Sequence, residues 1–120
     1  MFAKVISIVG ETLDYRCDNG LYLGKYRLID IQLPDGVENV SFGGNFLTEI
    51  IIPNSVKMLN CENNKITKLN LPEGLKHLNC RGNPLTELVL PSTIEELIVD
   101  KNLIDLEKIN KNVKVIIRYI

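Results

Sequence analysis

The sequence predicts a mainly β fold, a solenoid with one parallel sheet, little or no helix, and an N-terminal β-hairpin cap. Three observations predict it. Pro34, Pro53, Pro72 and Pro91 recur every 19 residues. Asn45, Asn64, Asn83 and Asn102 keep the same interval. Between them the apolar residues fall at matching places, so that Val40, Leu59, Leu78 and Leu97 form one column and Phe42, Cys61, Cys80 and Val99 another. A fixed short period is the mark of one supersecondary unit stacked on itself.

The elements follow in order along one domain, residues 1–120. Residues 1–20 read as the cap. Phe2 to Val9 and Thr12 to Cys17 are β-prone runs, and Asp18-Asn19-Gly20 is a hairpin signal. Residues 21–109 are the repeats. Leu21, Leu23, Leu28, Ile31 and Leu33 make a degenerate first rung, with Tyr26 in the asparagine position. Each full unit opens with a strand whose side chains alternate between faces. Leu59 and Cys61 therefore point into the stack, and Met58, Asn60 and Glu62 point out. A third inward column is Leu47, Ile66, Leu85 and Ile104. The second half of each unit, such as Leu85-Thr-Glu-Leu88-Val-Leu90, alternates and is too short for a helix. No unit can bury its own apolar face, so stacking must do it, at about 1.5–3 kcal/mol per aliphatic side chain before entropy.

The asparagines stand where the chain turns in after the strand. An amide both donates and accepts, so each is expected to satisfy turn backbone in its own unit and the next. The prolines open the following half-turn, where a missing N–H matters little. Residues 110–120 read as a terminal edge strand. Asp105-Leu-Glu-Lys-Ile109 breaks the columns and reads as one helical turn. At the strict period, Val113 and Ile116 continue the inward columns, but Arg118 then takes an inward slot.

The units Val56-Lys-Met-Leu59-Asn-Cys61-Glu-Asn-Asn64-Lys-Ile66 and Leu75-Lys-His-Leu78-Asn-Cys80-Arg-Gly-Asn83-Pro-Leu85, with their two relatives, share the form L-x-x-L-x-L-x-x-N-x-L. That form resembles the leucine-rich repeat family, over roughly residues 21 to 118. The unit is shorter than the family's ~20–29 residues, and is similar to the helix-free repeats of bacterial effector proteins. Phe42-Gly-Gly-Asn45-Phe46 and Ile52-Pro53-Asn-Ser-Val56-Lys also resemble the FNIP repeats of amoebae and of the large viruses that infect them, although the FNIP unit is longer. The resemblance implies a concave parallel sheet that binds a protein partner, inside a host cell if the chain is viral or an effector.

Composition narrows the function. A net charge of −1 with mixed signs argues against nucleic acid, which calls for a basic stripe. No window offers the ~18 apolar residues of a membrane helix, and Val5 to Val9 is too short for a signal-peptide core. The expectation is a cytoplasmic or otherwise intracellular protein. Of the three cysteines, Cys61 and Cys80 share an inward column and read as small buried hydrophobes. A disulfide between them is geometrically conceivable but unexpected inside a cell. Cys17 has no assigned role. The chain is not expected to be an enzyme. His77 is the only histidine, and strand parity places it opposite Cys80. Cys61, Cys80 and one histidine cannot complete a zinc site, and Gly43-Gly44 lies within a repeat rather than in a phosphate cradle. No cofactor is implied.

The outward columns remain: Asn39, Met58, His77, Glu96 and Val115; Ser41, Asn60, Asn79, Ile98 and Ile117; Gly43, Glu62, Arg81, Asp100 and Tyr119. Met58, Asn60, Glu62, His77, Asn79 and Arg81 form a mixed central patch, and Ile98, Val115, Ile117 and Tyr119 an apolar one. The candidate partner-binding residues are Met58, Asn60, Glu62, His77, Asn79, Arg81, Ile98 and Ile117. The plainer reading is an amide ladder at Asn60 and Asn79 beside an exposed Glu62–Arg81 ion pair. The alternative function is structural, a homodimer or larger assembly through the C-terminal edge, because an apolar edge strand recruits other chains.

Overall fold

A computed structural model describes residues 1–103 and 111–118. Its strands are β1 (Phe2–Ser7), β2 (Thr12–Arg16), β3 (Gly20–Tyr22), β4 (Leu28–Gln32), β5 (Asn39–Ser41), β6 (Met58–Asn60), β7 (His77–Asn79), β8 (Glu96–Asp100) and β9 (Lys114–Arg118). The one helical element among the described residues is a 3-10 turn, Lys101–Leu103. The chain is a mainly β solenoid. A six-stranded parallel sheet runs β3-β5-β6-β7-β8-β9, and a three-stranded antiparallel sheet, β2-β1-β4, closes the N-terminal end.

The sequence period is the strand register. Asn39 pairs with Met58, Met58 with His77, and His77 with Glu96. Val40, Leu59, Leu78 and Leu97 therefore stack, as do Phe42, Cys61, Cys80 and Val99, and all eight are buried. One apolar core runs from Ala3 and Val5 in the cap through every rung to Val99. Between strands, turns close at the prolines, where Val37, Val56, Leu75 and Ile94 donate their N–H to Pro34, Pro53, Pro72 and Pro91 carbonyls at 3.5, 3.2, 3.3 and 3.3 Å.

Three asparagines knit the coils together. Asn64 Nδ2 donates to the Cys61 carbonyl of its own coil and to the Phe42 carbonyl of the coil before, both at 3.1 Å. Its Oδ1 accepts the Leu47 N–H at 3.1 Å. Asn45 and Asn83 repeat the pattern. The Phe42 and Cys61 carbonyls each serve two successive asparagines, so the bonds form one continuous ladder. The second coil reached is the preceding one, not the following one expected from the sequence. One residue ahead of each rung position, Lys25, Gly44, Asn63 and Gly82 hold φ values of 61, 72, 54 and 73°. That left-handed turn aims the next side chain inward, and glycine fills it without steric cost.

A hydroxyl supplies a second link at alternate coils. Ser55 Oγ donates to the Val37 carbonyl at 2.6 Å and accepts the Gly36 N–H at 3.0 Å. Thr93 does the same for Leu75 and Gly74, at 2.7 and 2.9 Å.

Four expectations need correction. The first concerns the last rung, which is one residue short. Glu96 pairs with Lys114, Leu97 with Val115, Ile98 with Ile116 and Val99 with Ile117. Val115 and Ile117 therefore do not lie in the outward columns: both are in register with core positions, and Ile116 takes the outward place beside Ile98. A one-residue slip exchanges the faces of a strand. The strict period would set Arg118 against buried Val99, whereas the slip sets it beside Asp100.

The second is Asp100, which is not an outward residue but is only 4% exposed. Its Oδ2 accepts the Gly82 N–H at 2.9 Å, a role the backbone carbonyls of Glu62 and Arg81 play for Gly44 and Asn63. The third is Asn102, which lies exposed in the 3-10 turn and does not extend the buried ladder. The fourth is Asp18-Asn19-Gly20. It makes no hairpin, because β2 and β3 belong to different sheets. The hairpin is β1–β2, closed at Gly10 (φ 84°), and the Asn19 carbonyl instead accepts the Glu38 and Asn39 N–H groups. Ile104, the turn expected at Asp105 to Ile109, Tyr119 and Ile120 lie outside the described residues.

Candidate functional site

The exposed face of the parallel sheet carries the sequence-predicted residues on short, rigid strands. β6 presents Met58 and Asn60, β7 presents His77 and Asn79, and β8 presents Glu96 and Ile98. All are half-buried except His77, which is exposed. Met58 and His77 are register neighbours, as are Asn60 and Asn79, and Asn79 and Ile98.

Four of these residues form one network. Glu62 Oε2 accepts from Arg81 Nε at 3.1 Å and from Asn79 Nδ2 at 3.2 Å. Asn60 Oδ1 turns back to accept the Glu62 N–H at 3.2 Å, and Asn79 Oδ1 accepts the Arg81 N–H at 3.4 Å. The expected ion pair is therefore present, with side chains 37% and 30% exposed for Arg81 and Glu62. The expected amide-to-amide ladder is not. Each amide instead caps the strand end two residues on, an Asx turn. Solvent keeps the ion pair weak, under about 1 kcal/mol, so it biases the guanidinium toward the sheet without locking it there.

Gly43 also belongs to the site, and sequence reasoning missed it as such. A Cβ there would meet Glu62 Cγ at 3.0 Å and the Glu62 carbonyl at 3.4 Å. Its lack of a side chain leaves Glu62 room to lie along the sheet. The available signal was that glycine alone breaks a column otherwise filled by Glu62, Arg81 and Asp100. At the C-terminal side, Lys114 Nζ reaches Glu96 Oε2 at 3.6 Å on an exposed surface. Of the expected apolar patch, Ile98 and its register neighbour Ile116 are half-buried, and the Ile117 side chain is outside what is described.

The cysteines lie on the other side of this sheet. All three are free and buried. Burial, then the neighbouring Cys80, pushes the Cys61 thiol well up. Burial, then Asp100, pushes Cys80 up to about 12. Neither is a ready nucleophile near neutral pH, and neither shares a face with His77. Among the described residues no group of His, Cys, Asp and Glu could hold a metal ion, and no helix is long and apolar enough to cross a membrane.

A concavity lies away from this face, between the outer segments of successive coils, which carry no ladder. Single bonds tie them at their starts, from Phe46 N–H to the Leu28 carbonyl and from Lys65 N–H to the Leu47 carbonyl, each 2.8 Å. Beyond these a groove of about 850 Å³ opens between β4 and residues 48–51, lined by Asp30, Ile31, Leu33, Glu49, Ile50 and Lys68 among others. The sequence did not point to it, since an unpaired outer segment looks the same in sequence as a paired one.

No protein-family model, curated protein or solved structure matches this chain.

Proposed function

We propose that the chain is a non-catalytic protein-interaction module of leucine-rich-repeat type, and that it binds a protein partner through the exposed face of its parallel sheet. The observation that carries this reading is the Asn60–Glu62–Asn79–Arg81 network. It pre-orients polar groups of both signs on the sheet, flanked by Met58, His77 and Ile98. Preset side chains lose little freedom on binding, and an arginine beside flexible and aromatic groups is the composition of a recognition surface. The buried, poorly ionised Cys61 and Cys80 thiols and the exposed His77 on the opposite face support a non-catalytic role. The repeat form and its 19-residue spacing support the leucine-rich-repeat assignment.

The test is partner capture with paired variants. Arg81→Ala with His77→Ala is expected to lose the partner bound by the wild-type chain while keeping its oligomeric state. An outer-side control, Lys65→Ala, should retain it. Equal loss in both variants, or in neither, would overturn the assignment of this face. Self-assembly through the C-terminal edge is the second reading, favoured by the place of β9 at the end of the sheet. Assembly lost only on charging Ile116 would support it.

A further inference from the structure

One end strand of the cap sheet is β2, and its residues Thr12, Leu13, Asp14 and Arg16 are exposed. Its backbone orientation follows from two bonds. The Cys17 N–H donates to the Met1 carbonyl and the Glu11 carbonyl accepts the Ser7 N–H, each at 2.9 Å. Odd-numbered residues of this strand thus turn their polar groups toward β1, and by alternation Thr12, Asp14 and Arg16 turn theirs outward. Asp14 and Arg16 also share one face of the sheet and are exposed. Neither forms an ion pair among the described residues. On the opposite face Leu13 is 51% exposed, and Tyr15 is half-buried, its ring edge-on to Tyr26 with centroids 6.4 Å apart.

We propose that β2 pairs antiparallel with β2 of a second copy of this chain, about a twofold axis at Tyr15. In that register Asp14 stands opposite Arg16 of the second copy, and Arg16 opposite its Asp14. These are the outward-turned residues, so each such pair exchanges both of its backbone hydrogen bonds. Directly opposed unlike charges favour the pairing and like charges oppose it. Tyr15 meets Tyr15 of the second copy, and Leu13 comes opposite its Cys17. A dimer interface of this kind is self-complementary by symmetry. The edge is open to addition because a free row of donors and acceptors templates another strand. The occupant is a second copy because the charge order along the strand matches its own reverse. This inference is independent of the partner-binding face, which lies on the other sheet.

The test is sedimentation of the 120-residue chain over a concentration series, with circular dichroism to confirm the fold of each variant. The wild type is expected to dimerise. Asp14→Arg and Arg16→Asp should each weaken the dimer about tenfold or more by opposing like charges. The exchanged pair, Asp14→Arg with Arg16→Asp, should restore it. A wild-type chain that is monomeric at every concentration would overturn the proposal. So would single reversals that leave dimerisation unchanged, an exchanged pair that fails to recover it, or a dimer lost only on charging Ile116 in β9.

Discussion

Replacing Asn64 by alanine tests the ladder that joins the coils. The amide accepts the Leu47 N–H, which is left buried without that partner, and a buried orphan donor costs about 1–3 kcal/mol. The Phe42 and Cys61 carbonyls each lose one donor but keep another, from Asn45 and Asn83, so each loss lies nearer the net value of about 1 kcal/mol or below. The sum is about 2–4 kcal/mol. Asn102→Ala removes an exposed amide at the same place in the repeat and should cost under about 0.5 kcal/mol. Adding Asn83→Ala to Asn64→Ala strips the Cys61 carbonyl of both donors, so the double variant should fall below additivity by about 1 kcal/mol. Equilibrium unfolding in urea, followed by circular dichroism, measures all four chains. An Asn64→Ala variant within 0.5 kcal/mol of the parent, or an Asn102→Ala variant equally damaged, would refute the reasoning.

Other outcomes follow from the same geometry. Gly82→Ala should destabilise by about 1–2 kcal/mol, since it strains a left-handed residue and drives a methyl onto Asn63 Oδ1; Asn63→Gly should stabilise by about 0.5–1 kcal/mol in the same unfolding assay. The Cys80 thiol is pushed up from 9.0 to about 12. Its contribution to stability is therefore intact below pH about 9, where both states are protonated, and drains away toward pH about 12 as the unfolded thiol ionises first. Cys80→Val should flatten that alkaline decline by on the order of 1–3 kcal/mol, read from unfolding curves at successive pH values. Alkylation of Cys61 and Cys80 at pH 8 should track global unfolding, so its rate should rise with urea rather than with reagent size.

The repeat was legible because its cause is local and recurring. Matching apolar residues 19 apart specified the pairing of β5 through β8, and the burial of Val40, Leu59, Leu78 and Leu97 follows directly. The ends were less legible because no neighbouring copy constrains them. At β9 the spacing from the strand before is one residue short of the period, and the register slips with it. At Asp100 a carboxylate enters the stack to serve Gly82, which no periodicity reveals. At the cap, Asp18-Asn19-Gly20 carries the local chemistry of a hairpin, yet β3 joins the parallel sheet because Leu21 and Leu23 belong to its core columns. The first rung's outer strand, β4, pairs with β1, while later outer segments remain unladdered. On the exposed face of the sheet, the outward placement of Met58, Asn60, Glu62, His77, Asn79, Arg81 and Ile98 was legible from strand parity. The direction of its amides was not, since an asparagine has local and cross-strand partners of similar worth.

The stacking itself is open to direct measurement through the hydrogen bonds that create it. Scalar couplings across N–H···O=C bonds, recorded by NMR on isotope-labelled chain, should link Phe42 to Asn60, Cys61 to Asn79, and Cys80 to Ile98. Couplings confined to residues near in sequence, or linking these amides to other carbonyls, would contradict a coil built one repeat upon the last.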